Sequence, residues 1–286
     1  MSDTPDNDEH GAGGRRQFLR WSLGAAGLGA LCGVDGFLVE PNLLDVTRHE
    51  VEIQGLPPDL DGFTIAHLTD LHFGNVRGAH RKTLESLERE QPDLVACTGD
   101  LIETTDDIDT FVDYARRLVD LSPHIVAILG NWERRHGKDQ TRKKVRAYET
   151  AGLPLLSNEH ELIAENILVV GGDDPVTGHF DPAAAFDDLP QAAVRLFLLH
   201  APGPFERTFP DSPSFDLSLA GHTHGGQIRI GPFAPVTPRG SGRFTSGFYD
   251  TPLGRLYVSR GIGMTLFRAR FMCPPELPYF ILRRAG

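Results

Sequence analysis

Five short apolar runs in this chain each end, within a few residues, in a side chain able to hold a metal ion. Phe63–Leu68 is followed by Asp70 and His72, and Asp93–Cys97 by Asp100. Ile125–Leu129 is followed by Asn131, Leu196–Leu199 by His200, and Leu217–Ala220 by His222 and His224. Such runs, rich in Val, Ile and Leu and bounded by turn-forming residues, read as buried strands. In open α/β sheets, sites gather outside the carboxyl ends of strands, where loops leave the core. The seven side chains are therefore expected on one edge of the molecule. Any one of them alone would pass for a solvated loop residue; five strand ends with the same chemistry do not.

The rest of the pattern sets the fold class. Ile167–Val170 and Leu256–Ser259 are further strand-like runs, and helix-like stretches lie at 80–90, 106–121 and 138–151. Strand and helix alternate in the first half, which predicts an α/β layered fold. The second half is richer in strands and turns, with Gly and Pro punctuation from 221 to 254. Two mixed sheets packed together and flanked by helices satisfy both halves. From Pro41 onward there is no low-complexity linker and no internal repeat, so residues 41–286 are expected to form one domain.

Composition excludes several classes. A net charge of −11 leaves no surplus of cations for non-specific nucleic-acid binding. The three cysteines, Cys32, Cys97 and Cys273, match neither a disulfide framework nor a thiolate zinc cluster. Nucleophile signatures such as Gly-x-Ser-x-Gly and Walker-type glycine loops are absent.

The N-terminus reads as an address. Residues 1–14 are polar and Gly-rich, and Arg15-Arg16-Gln17-Phe18-Leu19-Arg20 then precedes a mildly apolar run, Trp21 to Leu31. This resembles a twin-arginine export signal, so residues 1–40 are expected to be a disordered N-terminus with a signal or anchor. The export machinery would be one partner. The periplasm, the cell wall or the outer face of the cytoplasmic membrane would be the destination, with membrane association through this segment. The apolar run is short for a transmembrane helix.

Carboxylate, carboxamide and imidazole without thiolate suit Mn²⁺, Fe or Zn²⁺. Seven ligands exceed one ordinary site, whereas two ions sharing a carboxylate would use them all. The blocks Asp70-Leu71-His72, Gly99-Asp100-Leu101-Ile102-Glu103, Gly130-Asn131-Trp132-Glu133, His200 and Gly221-His222-Thr223-His224 resemble, in order, the motifs of the calcineurin-like metallophosphoesterases. The resemblance runs from about Val46 to Leu282 and, with the export signal, points to an exported bacterial phosphodiesterase branch. It implies a four-layer α/β/β/α sandwich. It also implies a first metal on Asp70, His72, Asp100 and His224, and a second on Asp100, Asn131, His200 and His222. Two divalent ions, Mn²⁺ first among the candidates, would generate a bridging hydroxide for in-line attack on phosphorus, with Asp100, Asn131 and His222 at the catalytic core.

One residue departs from the resemblance. Most members carry His after Gly-Asn in the third block, where it contacts the scissile phosphate or protonates the leaving group; here the residue is Trp132. Indole can donate a hydrogen bond but not deliver a proton. Glu133, the usual partner of that His, is left without a role, and Glu103 is expected to brace the second block's loop. Trp132, Arg134, Arg135 and His136 are candidate substrate contacts, while the basic stretch from Lys138 to Arg146 reads as a solvated helix face. His67, inside a strand, reads as a supporting or core histidine. The substrate expected is a phosphate ester of lipid, cell-wall or extracytoplasmic nucleotide origin. Alternatives are a lipid-sugar nucleotide pyrophosphatase and a metal-binding module without turnover.

Overall fold

The computed structural model describes Trp21 and residues 33–74, 78–210 and 212–286. The twin-arginine segment lies outside these residues. No helix among them is long and apolar enough to cross a membrane.

Among the described residues, eleven strands form two mixed sheets. The first contains β1 (Asp45–Ile53), β2 (Thr64–Leu68), β3 (Leu94–Cys97), β4 (His124–Ala127) and β11 (Glu276–Arg284), in the order β1-β11-β2-β3-β4. The second contains β5 (Glu159–Ile163), β6 (Ile167–Gly171), β7 (Val194–Leu198), β8 (Phe215–Ala220), β9 (Gly247–Thr251) and β10 (Gly254–Val258), in the order β5-β6-β7-β8-β10-β9. The helices α1 (Gly78–Glu90), α2 (Ile108–Asp120) and α4 (Lys138–Ala151) cover the first sheet. Two single-turn α-helices, α3 (Asn131–Arg134) and α5 (Pro182–Ala185), accompany them.

Period-two alternation along the buried strands makes the layers. Ile65, Leu94, Ala96 and Val126 point from the first sheet to Val169, Leu196, Leu198 and Leu217 of the second, forming the central layer. Their neighbours Ala66, Leu68, Val95, Cys97 and Ala127 point the other way, onto Leu84, Leu87, Phe111, Ala115 and Tyr148 of the helices. Beyond the second sheet the outermost layer is thin. There α5 is joined by the rings of Phe180, Phe186, Phe205, Phe209 and Phe244, which cover Leu168, Val170 and Phe197.

Register brings the site together. In the parallel run β2-β3-β4, Leu68 pairs with Cys97 and Cys97 with Ala127, so the three strands end level. Leu198 of β7 pairs with Leu219 of β8, so these two also end level. The carboxyl edges of both sheets face one region.

The boundary expected at residues 40/41 falls inside a packed segment. The carbonyl of Gly36 accepts a bond of 2.9 Å from the Arg270 N–H, and the buried Glu40 carboxylate accepts the N–H groups of Met272 and Cys273.

Candidate metal centre

Asp70 and His72 follow β2, Asp100 follows β3, and His222 and His224 follow β8. All five hold left-handed backbone angles, with φ between 45° and 71°. L-residues adopt that region at a cost of order 1–3 kcal/mol each, and such strain collects where the surroundings over-determine a functional geometry. The constraint here is the neighbouring loop. The N–H of Asp70 donates to Gly99 O at 3.0 Å, that of His72 to Asp100 O at 3.0 Å, and that of Phe73 to Leu101 O at 2.9 Å. The sheet ladder is thus carried past the strand ends, and the first two loops are locked side by side.

Each carboxylate turns one oxygen to the backbone and the other inward. Asp70 Oδ2 accepts the Thr69 hydroxyl at 2.8 Å and the His222 N–H at 2.9 Å, while Oδ1 has no hydrogen-bond partner although it is buried. Asp100 Oδ1 accepts the Trp132 N–H at 2.7 Å, and Oδ2 faces the cluster.

The inward atoms fall into two groups. In the first, His224 Nε2 lies 3.3 Å from Asp70 Oδ1 and 3.1 Å from His72 Nε2. In the second, His200 Nε2 lies 3.1 Å from Asp100 Oδ2, 3.2 Å from His222 Nδ1 and 3.3 Å from Asn131 Oδ1. Asp100 Oδ2 also lies 3.8 Å from His72 Nε2, so one carboxylate oxygen joins the groups. All seven residues are buried.

Tautomers follow from the outward bonds. His200 Nδ1–H donates to Thr98 O at 2.7 Å and His222 Nε2–H to Arg239 O at 2.9 Å, which turns the lone pairs of His200 Nε2 and His222 Nδ1 inward. Lone pairs and carboxylate oxygens this close repel unless positive charge lies among them. That demand shows in the proton affinities. Burial alone would lower the pKa of His200, but the Asp100 carboxylate overrides it and raises it to about 10. Burial would raise Asp70, yet His224 and His72 hold it well below the usual carboxylate range. Burial, only partly opposed by Asp70, pushes His224 down to about 3, leaving a neutral imidazole suited to ligation. The donor set fits divalent cations of borderline hardness.

Glu133, without a role in the sequence reading, clamps the centre from behind. Its fully buried carboxylate accepts the N–H groups of Asp100, Ile102 and Gly130 at 2.9 Å each, and the Tyr148 hydroxyl at 3.0 Å. The second and third loops and α4 are thereby tied to one side chain. Glu103, expected to brace the second loop, has its carboxylate 3.9 Å from Arg268. Lys144 departs from expectation. It is buried rather than solvated, and its ammonium donates to the carbonyls of Glu103 and Trp132 at 2.7 Å each. The signal was its place on the stripe Lys144, Ala147, Tyr148, Ala151, the buried face of α4.

The remaining candidates line the rim or back the centre. The Trp132 ring meets His72 edge-on at 5.6 Å, and the Arg135 guanidinium stacks over Trp132 at 4.1 Å. Arg134 is held by Asp173 at 2.5 Å, and His136 is exposed. His67 is buried against the Thr98 hydroxyl at 2.8 Å, and burial lowers its pKa to about 4.

Known proteins are similar to this chain over nearly its whole length. The metallophosphoesterase YkuE of Bacillus subtilis is 29% identical over 282 residues, covering 94% of this chain and 97% of its own. The phosphodiesterase YaeI of Escherichia coli is 29% identical over 279 residues, covering 92% and 97%. The sequence profile of the calcineurin-like phosphoesterases matches residues 63–226, a span that begins at the foot of β2 and ends just past His224. All seven inward-facing residues lie within it, and the chain belongs to the calcineurin-like phosphoesterase family.

Proposed function

We propose that this protein is a metal-dependent phosphodiesterase whose centre holds two divalent ions, Mn²⁺ foremost, bridged by Asp100. The observation that carries this reading is the single oxygen, Asp100 Oδ2, lying within 3.8 Å of both ligand groups. Asp70, His72 and His224 would complete one site, and Asn131, His200 and His222 the other. The ions would supply an activated water nucleophile and offset charge on the phosphoryl oxygens during in-line displacement.

The chain's own residues fix the geometry. Thr69 and the His222 N–H hold Asp70, the Trp132 N–H holds Asp100, and the carbonyls of Thr98 and Arg239 set the faces of His200 and His222. The name of the YaeI relative supports a phosphodiester over a monoester. Trp132 cannot protonate a leaving group, so substrates with good leaving groups are favoured: aryl phosphodiesters should turn over at least ~100-fold faster than alkyl ones. Comparable rates on the two would contradict this. Arg15-Arg16 and the apolar run behind them support export by the twin-arginine route, which a reporter fused to residues 1–40 would test by whether it leaves the cytoplasm.

The deciding assay is hydrolysis of bis(4-nitrophenyl) phosphate by the Mn²⁺-loaded protein. Asp100→Asn should lower the rate by ~10²–10³-fold; full activity in that variant would remove the bridging role. Trp132 favours a second reading, a metal-binding module without turnover. Bound ions with no hydrolysis of any phosphodiester under several metals would establish it.

A further inference from the structure

Beside His224, two neighbouring loops expose several large apolar side chains. Ile230, Phe233, Val236, Leu266, Phe267 and Met272 are between 54% and 79% exposed, a contiguous patch of a kind that marks an interaction surface. They sit on two loops that run together: Ile228 bridges to Phe271, and Arg229 N–H donates to Phe271 O at 2.9 Å. Leu266 and Met272 both hold a left-handed φ of 52°.

The tips are exposed but their bases are pinned. The Gln227 amide bonds the backbone of Thr265 and Phe267. Arg270 is fully buried and donates to the carbonyls of Arg260, Gly261, Gly263 and Cys273. Between the loops lies an apolar groove of about 340 Å³, lined by Ile228, Val236, Leu266 and Phe267 and floored by His224 itself.

Charge and chain direction both bear on what could cover this face. Of the seven arginines between Leu217 and Pro275, Arg270 is buried and Arg260 is paired with Asp45 and Glu276, whereas Arg239 and Arg268 are exposed and Arg229 is half-buried, in a chain of net charge −11. Arg229, Arg239 and Arg268 lie next to the apolar tips in sequence. Cations around an apolar tip match an anionic lipid surface, where charge attracts and the apolar side chains insert. The chain also enters at this face. The segment carrying exposed Phe37 and Leu38 bonds to Arg270 through Gly36, and the apolar run Trp21–Leu31 precedes it directly in sequence.

We propose that the loops around 228–236 and 265–272 dock on an anionic lipid bilayer, seating the metal centre against the headgroups so that its substrate is a lipid-borne phosphodiester. The substrate class rests on the phosphodiesterase reading; the docking face does not.

The test uses the full chain with phosphatidylglycerol vesicles whose acyl chains carry bromine. Phe267→Trp and Ile230→Trp should each add indole fluorescence that the bromines quench, beyond the quenching of the parent. The triple variant Ile230→Ser/Phe233→Ser/Phe267→Ser, altered only at exposed tips, should unfold at the parent's temperature and bind vesicles at least ~10-fold more weakly. The proposal fails if the new indoles stay unquenched while the protein sediments with vesicles. It fails if they are blue-shifted and shielded without lipid, which would mean the chain's own N-terminal run covers the loops. It fails too if lipid-free protein forms a dimer that the serine variant abolishes. Hydrolysis of bis(4-nitrophenyl) phosphate by the unmodified chain reads the enzymatic proposal separately. Quenching without hydrolysis would sink the enzyme and keep the docking face; hydrolysis without quenching would sink the docking face alone.

Discussion

Glu133 shows how much of the site lies behind its ligands. One carboxylate receives three backbone N–H groups and a tyrosine hydroxyl, and two of those N–H groups belong to Asp100 and Gly130, which flank the cluster. A glutamine keeps the shape but presents an NH₂ where an acceptor is needed, leaving buried donors unsatisfied. Glu133→Gln should therefore cost ~2–3 kcal/mol of stability and lower metal affinity ~10–100-fold, read by thermal unfolding and metal titration. Unchanged affinity would reduce Glu133 to a packing residue. His67 makes a pH prediction. Its pKa is near 6.5 in the unfolded chain and about 4 when buried, so the unfolded state binds the extra proton between those values. Stability is full above pH 6.5 and falls as pH drops through that window, by ~3 kcal/mol at its foot. Chelator-treated parent should lose this increment relative to His67→Gln in acid denaturation curves; parallel curves would contradict it. The seven residues that the structure gathers into the cluster were legible in the sequence because apolar runs announce strand ends. Glu133 and Lys144 were not, because their roles depend on which loops lie beside α4, a tertiary fact that local pattern does not carry.

At the scale of elements, the strands read from sequence are those buried on both faces, where apolar residues run continuously. The edge strands β1, β5 and β9 were missed for the opposite reason: their side chains are half in solvent, and charged residues interrupt the run. The missed β11 is central and mostly buried, but it contains Pro278, a residue that argues against an interior strand. Pro278 pairs only with Thr47 of β1, beyond the stretch of β11 that pairs with β2, which is how the strand tolerates it. The β8 end meets the β2 end at Gly221, where an added Cβ would collide with the Thr69 hydroxyl and Asp70 Oδ2. Gly221→Ala should push the two strand ends apart, cost ~1–3 kcal/mol, and weaken metal binding along with stability. A variant with parental metal affinity would show that the close approach is dispensable.

At the scale of the whole molecule, two sheets place their level strand ends against each other and bury two carboxylates and four imidazoles in one cluster. Buried charge of this kind is costly unless compensated, so the ions are expected to be part of the fold's stability as well as its chemistry. Stripping them with a chelator should lower the unfolding temperature, and restoring Mn²⁺ should recover it; a chelator-insensitive transition would argue that the fold does not use them. The layered architecture was readable from strand–helix alternation, whereas the thin aromatic outer layer was not, since its phenylalanines lie on loops without periodicity. If Asp100 is shared by two ions, elemental mass spectrometry of purified, Mn²⁺-equilibrated protein will count two ions per chain. A stoichiometry of one, with all seven ligands intact, would contradict it.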